Sequence, residues 1–276
     1  MNIIELITNN ISPFLALVAT GVFAGILAGL LGVGGGIVIV PVLFFLFQSF
    51  GVSPETAMLV ATATSLATII PTSISSIRSH NQQGNVDFDL LKRWAVFIFM
   101  GVLVGSWLVT RVEGIILTLL FGVIAVLSAL NMLFRTGKSA LYQKLPNETG
   151  QSVMAASIGF FSSMVGIGGG TLSVPLLTLY NYPPHKAIGT AAAIGLIISL
   201  PGALTMLILG NTPTDAPAGT FGLVNLFSFS CIVPLTVLFA PLGASLAAKL
   251  DAVKLKKIFA FVLLFTGLRM LLQLIL

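Results

Sequence analysis

The sequence predicts an all-α polytopic membrane protein made of two inverted-topology repeats, with 8 to 10 membrane segments in total. Three observations predict it. Of 276 residues, 57% are apolar and 8% charged, and the mean hydropathy is +1.08. A soluble domain carries about 25% charged residues, so this chain cannot cover a water-facing surface. Residues 32–43 read GVGGGIVIVPVL and residues 166–177 read GIGGGTLSVPLL, identical at seven of twelve positions. Ten of the thirteen basic residues fall in three clusters, and the loops 48–54 and 211–220 hold none.

The repeat extends beyond the glycines. Pro54 pairs with Pro184, Ala57 with Ala187, Pro71 with Pro201, Gly105 with Gly243 and Met132 with Met270. The halves are therefore 1–140 and 153–276, joined by a polar cytoplasmic linker, 141–152. Half one opens with an apolar run, Pro13–Phe47, of 35 residues. One crossing needs about 20, so the run is long for one helix and short for two. Three consecutive glycines and Pro41 predict a break in its middle. Helices follow over Glu55–Ile77, Leu91–Thr110 and Gly114–Phe134. Half two repeats the plan, with a broken run Val153–Tyr180 and helices His185–Leu209, Leu223–Ala248 and Val253–Leu274.

Charge sets the topology. Arg78, Lys92 and Arg93, then Arg135, Lys138 and Lys144, then Lys249, Lys254, Lys256 and Lys257 mark three cytoplasmic loops. Loops 48–54 and 211–220 carry no Lys or Arg. All three basic loops lie inside only if each broken run enters and returns, as a re-entrant hairpin or as two short tilted crossings. The second helices then run in opposite senses, the repeats are inverted, and both termini face outward. Matched broken helices in inverted repeats are a transporter design. Met1–Asn10 holds no Lys or Arg, so the positive n-region of a secretory signal is missing. The expected location is the cell membrane, inner or plasma, with multiple passes.

The twofold G-x-G-G-G followed by V-P, in an apolar chain split into halves, resembles the sulfite exporter TauE/SafE family of anion transporters, also called TSUP. The resemblance covers nearly the whole chain, and both motif copies are intact. It implies a small sulfur-containing anion as substrate: sulfite, thiosulfate, sulfoacetate or another organosulfonate. It does not fix which one.

The residues themselves suggest where an anion would bind. Gly34, Gly35, Gly36, Gly168, Gly169 and Gly170 lack side chains, so backbone N–H groups are able to converge on a ligand. Freed amides at a helix start favour an anion. Thr62, Ser65 and Thr190 are the candidate hydroxyl donors, and Pro41 and Pro175 shape the returning arms. Each has a structural alternative: glycine permits close helix packing, and Ser or Thr returns its bond to its own helix. Arg269 and Asn131 occupy matching positions, and Arg269 is expected to snorkel to the surface. His80 and His185 are expected in or beside loops.

Other classes are excluded. Cys231 is the single cysteine, which removes disulfides and cysteine metal sites. No cofactor and no metal are expected. Ile37 stands where a dinucleotide fingerprint needs its third glycine, and no Walker pattern occurs. No basic cluster is dense enough for nucleic acid, and no nucleophile–base pair marks an enzyme. The partners are the lipid bilayer and the anion. All eight acidic residues fall in predicted loops or at helix ends. An exporter or potential-driven carrier with alternating access is therefore expected. The alternatives are a proton- or sodium-coupled importer of the same anions and an anion channel.

Overall fold

The computed structural model of the chain describes residues 3–134, 142–246 and 252–274. Half one holds α1 (Ile3–Leu31), α2 (Gly36–Ser49), α3 (Pro54–Gln82), α4 (Phe88–Val109) and α5 (Gly114–Phe134). Half two holds α6 (Glu148–Val165), α7 (Gly170–Leu179), α8 (Pro184–Leu209), α9 (Leu226–Leu246) and α10 (Ala252–Leu272). Five of these helices are long and apolar enough to cross a membrane. Leu141, at the start of the polar linker, and the positions Arg135, Lys138, Lys249 and Asp251 lie outside the described residues, as do the side chains of Lys254, Lys256 and Lys257.

Local chemistry sets the helix starts. Ser53, Asp87 and Asn147 cap α3, α4 and α6 by accepting bonds from the first-turn amides. Pro54 and Pro184 occupy first-turn positions that need no donor. α6 starts at Glu148, inside the segment read as linker. One feature departs from the all-α expectation. Before α9 the chain forms a two-stranded antiparallel hairpin, β1 (Thr220–Phe221) and β2 (Val224–Asn225). Gly219 and Gly222, both at positive φ, flank β1 and let the backbone turn. Val224 and Asn225, read as part of the apolar run Leu223–Ala248, belong to this hairpin, and α9 begins at Leu226.

Helices pair across the halves. α1 packs on α9 and α4 on α6, while α3 packs on α8 and α5 on α10. Exchanging the halves maps each pair onto another or onto itself. Glycines set the direction of each pair. Gly21 meets Leu235, Gly25 meets Thr236 and Gly29 meets Ala240, so α1 and α9 are parallel. Ile98 meets Gly159 and Gly105 meets Ser163, so α4 and α6 are parallel too. Leu66 meets Gly202 and Ser73 meets Gly195, so α3 and α8 are antiparallel. Small residues let these backbones touch, as membrane helices require.

The glycine break turns the chain back. Along α1, Ala28 lies beside Ser76 and Gly29 beside His80, near the end of α3. Gly34 then meets Ile69, and Gly36 meets Ser65, back toward the middle of α3. α2 therefore returns toward the end from which α1 came. Arg78, Lys92, Arg93, Lys144 and Lys186 sit at one end of the bundle, called here the basic end. The loops 50–53, 110–113 and 210–219 sit at the other.

The outer surface is apolar. Val96, Phe97 and Met100 on α4, Leu119 and Leu127 on α5, and Phe261 and Phe265 on α10 are all exposed. Water would not tolerate this surface, and lipid does. The polar residues of α3 face inward, where Thr62, Thr64, Ser65, Thr68 and Thr72 are fully buried.

A Cβ on Gly105 would strike Phe160 and Ser163, and one on Gly243 would strike the backbone of Ile26. Gly105→Val and Gly243→Val are each expected to destabilise the protein by about 1–3 kcal/mol, read as a lower thermal midpoint in detergent. Leu127→Ala on the lipid face is expected to leave the midpoint nearly unchanged.

Candidate functional site

The two glycine clusters meet directly. A Cβ on Gly34 would lie 3.4 Å from the Gly168 Cα, and one on Gly168 would lie 3.2 Å from the Gly34 Cα. Gly36 faces the Gly166 carbonyl at 2.5 Å from its Cβ position, and Gly170 faces the Gly32 carbonyl. The contact is antiparallel and maps onto itself when the halves are exchanged. Gly35 packs on Ala24, and a Cβ on Gly169 would lie 2.8 Å from both the Ala191 carbonyl and the Gly195 amide. All six candidate glycines are buried.

The conformations differ between the two breaks. Gly32, Gly34 and Gly35 all have φ between 66° and 79°, which only glycine adopts without strain. The second break uses one such residue, Gly166, which closes α6. Beyond the breaks, α2 and α7 begin at Gly36 and Gly170 with no side-chain cap. The first amides of a helix have no partner within it. Two positive helix ends thus open at the junction. Pro41 and Pro175 lie within α2 and α7, where each leaves one carbonyl of the first turn without its helical donor.

Hydroxyls surround the junction. The Ser65 hydroxyl donates to the Gly166 carbonyl at 2.7 Å. Thr62 packs on Gly166, and its Oγ1 has no partner among the described residues. The same holds for Ser73, beside Gly195, and for Ser162 and Thr171. A buried hydroxyl without a partner costs about 1–3 kcal/mol, so these atoms call for an explanation. Thr171 and Ser162 escaped the sequence reading because it sought hydroxyls on the helices after the breaks, α3 and α8, whereas these lie on α7 and α6. Thr68 and Thr72 behave as ordinary helix residues, donating to Ser65 and Thr68 carbonyls.

Thr190 is not brought to the junction. Its Oγ1 accepts from the Asp87 amide at 3.0 Å, at the basic end of α8. The Tyr182 hydroxyl donates to the Asp87 carboxylate beside it. Burial pushes the Asp87 carboxyl up, but bonds from Tyr182, Leu90 and Asp89 and the charge of Lys186 outweigh it and hold it below its usual value. Burial first, then Asp87, pushes the Tyr182 phenol well above its usual value.

A matching contact lies at the opposite end of α3. The Asp215 carboxylate accepts from the Ser53 amide at 3.0 Å and from the Thr56 hydroxyl at 2.6 Å. Bonds from Ser53 and then Thr56 hold its carboxyl at about 2. A carboxyl depressed in this way contributes its full stabilisation above about pH 4 and loses it as pH falls toward about 2.

Two further expectations meet the structure. Arg269 is exposed, with its guanidinium 4.2 Å from the Phe45 ring centroid, at the end opposite the basic one. His80 lies beside a loop, as expected, but it is buried. It stands in the last turn of α3, with Nε2 2.8 Å from the Gly29 carbonyl. The helix continues past Ile77 because Asn81 and Gln82 lengthen it, and this carries His80 into the packed region.

The comparisons agree with this architecture. The family described as "Sulfite exporter TauE/SafE" matches residues 17–270. A probable membrane transporter protein of Haemophilus influenzae is 32% identical, covering 92% of this chain and 96% of its own length. Probable membrane transporter proteins of Bacillus subtilis and Methanocaldococcus jannaschii are 26% and 27% identical, over 92% and 93% of this chain and 96% and 94% of their own lengths. No solved structure matches the chain significantly. From a match that runs nearly end to end, the chain belongs to the TauE/SafE sulfite exporter family, whose members are membrane transporters.

Proposed function

We propose that the chain carries a small sulfur-containing anion across the cell membrane by alternating access, as an exporter or potential-driven carrier. The substrate class is sulfite, thiosulfate, sulfoacetate or another organosulfonate. The anion sits at the glycine junction, on the amides that open α2 and α7. The hydroxyls of Thr62, Ser65 and Thr171 complete the site, and Thr190 does not belong to it. One observation carries this reading: two uncapped helix starts meet deep in the bundle, amid buried hydroxyls without partners. A site of dipoles and neutral donors stabilises an anion without a buried cation.

The halves are read as inverted repeats, because α3 and its counterpart α8 run antiparallel. Six single crossings, α3 to α5 and α8 to α10, then flank two hairpins, α1–α2 and α6–α7. With the basic end in the cytoplasm, both termini face outward. An inside-negative potential then expels a monovalent anion with about 2.3 kcal/mol per 100 mV.

A second reading, proton coupling, is favoured by one observation. His80 is a buried titratable group against the α1 break, with Nδ1 lacking a partner among the described residues. In proteoliposomes, an imposed potential without a pH gradient is expected to drive sulfite or thiosulfate release. Release that instead requires a proton gradient, and loses that requirement in His80→Asn, would establish the coupled reading.

Two further measurements test the site. Purified protein titrated calorimetrically with sulfite, thiosulfate, sulfoacetate, taurine and sulfate is expected to bind at least one sulfur anion saturably. No binding to any of them, with folded protein, would remove the substrate class. Thr62→Val and Thr171→Val are each expected to raise the thermal midpoint of ligand-free protein, since removing an unpartnered buried hydroxyl relieves about 1 kcal/mol or more. Both are expected to weaken anion binding about tenfold, the order of one hydrogen bond to a charged group. Increased stability with unchanged affinity would take these hydroxyls out of the site.

A further inference from the structure

Two hydrogen-bonded clasps tie the halves together, one at each end of the α3–α8 pair. At the basic end, Asp87 of half one receives the Tyr182 hydroxyl of half two, and its amide donates to Thr190. At the other end, Asp215 of half two receives the Ser53 amide and the Thr56 hydroxyl of half one. Each aspartate follows the second helix of its own half and grips the start of the second helix of the other. The two contacts are therefore related by the same exchange that relates the glycine clusters.

We propose that these clasps are the two gates of the transport cycle, with Asp87 and Tyr182 closing the basic end and Asp215 and Thr56 closing the opposite end. The inference rests on the alternating-access reading above. It goes further by naming the contacts that must break on each side.

Position supports it. α3 has 29 residues and spans about 43 Å at 1.5 Å per residue. The clasps stand at its two ends, and the glycine junction meets it at Ser65 and Ile69, near its middle. Opening either clasp frees one end of the α3–α8 pair while leaving the other tied. The bonds are also of a kind that breaks reversibly. Asp215 is exposed, and Tyr182 and Asp87 are half-buried, so water replaces the lost partners at once. The α1–α9 and α4–α6 contacts are built on glycine-mediated backbone packing, to which α4–α6 adds a side-chain bond from the Trp94 Nε1–H to Gln151. Alternating access requires one contact of this breakable kind at each end, joining parts that move relative to one another. In this structure both clasps are closed.

The test reads access to the junction and needs no substrate. In a Cys231→Ser background, Thr62→Cys places a thiol beside Gly166. An anionic, membrane-impermeant methanethiosulfonate is applied to right-side-out or inside-out vesicles. Asp87→Asn keeps the helix cap, since Asn caps as well as Asp, but weakens the Tyr182 bond. Tyr182→Phe removes that bond alone. Both are expected to raise the labelling rate about tenfold from the basic face only, as the loss of one hydrogen bond would. Asp215→Asn and Thr56→Val are expected to do the same from the opposite face only. No increase in any of the four, or an increase from both faces alike, would overturn the gate assignment. Saturable sulfite binding alongside that result would leave the anion reading intact. Face-specific labelling with no sulfur anion bound would keep the gates and remove the substrate.

Discussion

The rest of the structure depends on backbone meeting backbone where the two glycine clusters touch. A Cβ on Gly36 would strike the Gly166 carbonyl, one on Gly170 the Gly32 carbonyl, and one on Gly168 the Val33 carbonyl beside Gly34. Within a bilayer, irregular backbone is tolerated only where protein covers it or a cavity solvates it. Each break is covered here by the other. Neither half therefore has a stable first segment without its counterpart, and the pairing of α1 with α9 and of α4 with α6 follows from the same association.

That arrangement has an electrostatic result. Ending α1 and restarting the chain as α2 exposes amides at a helix start, and the second half does the same at α7. Two half-positive ends are brought to one region of low dielectric. Positive potential there arises from backbone alone and needs no Arg or Lys, whose burial would be expensive. A carrier gains from this. Fixed dipoles bind an anion without the deep well of a buried ion pair, and a substrate that must leave again needs a shallow one.

The sequence made some of this legible and hid the rest for identifiable reasons. Gly and Pro at fixed spacing stand out against an apolar background, so the repeat and both breaks could be read directly. Basic residues marked the ends of the bundle because the positive-inside bias acts on the loops one by one. Partner identity was different. Which glycine of α1 touches which residue of α9 is a long-range fact, and apolar periodicity says nothing about it. Strand β2 was masked by an apolar run that looked like continuous helix. Thr190 was chosen as a hydroxyl on the half-two helix that follows the break, but a hydroxyl near a helix start serves neighbouring loops as readily as a core site. The burial of His80 was hidden because a helix end cannot be fixed where polar residues still favour helix.

The two clasps bear on the energetics of the cycle. A carrier works only if its two open forms are close in free energy, since 1.4 kcal/mol already biases them tenfold. In the basic-end clasp, two bonds cross between the halves, from Tyr182 to Asp87 and from the Asp87 amide to Thr190. In the other clasp, two also cross, from the Ser53 amide and the Thr56 hydroxyl to Asp215. Each clasp thus has two crossing bonds, of which Asp215 takes both on its carboxylate and Asp87 takes one. The bonds Asp87 receives from Asp89 and Leu90 lie within its own half and survive opening, so they do not tilt that balance. The remaining asymmetry is burial, greater around Tyr182 than around Asp215. A bond to a charged group strengthens as its surroundings dry. Burial strengthens the basic-end clasp, and the second bond to a carboxylate strengthens the other, so the two asymmetries oppose each other.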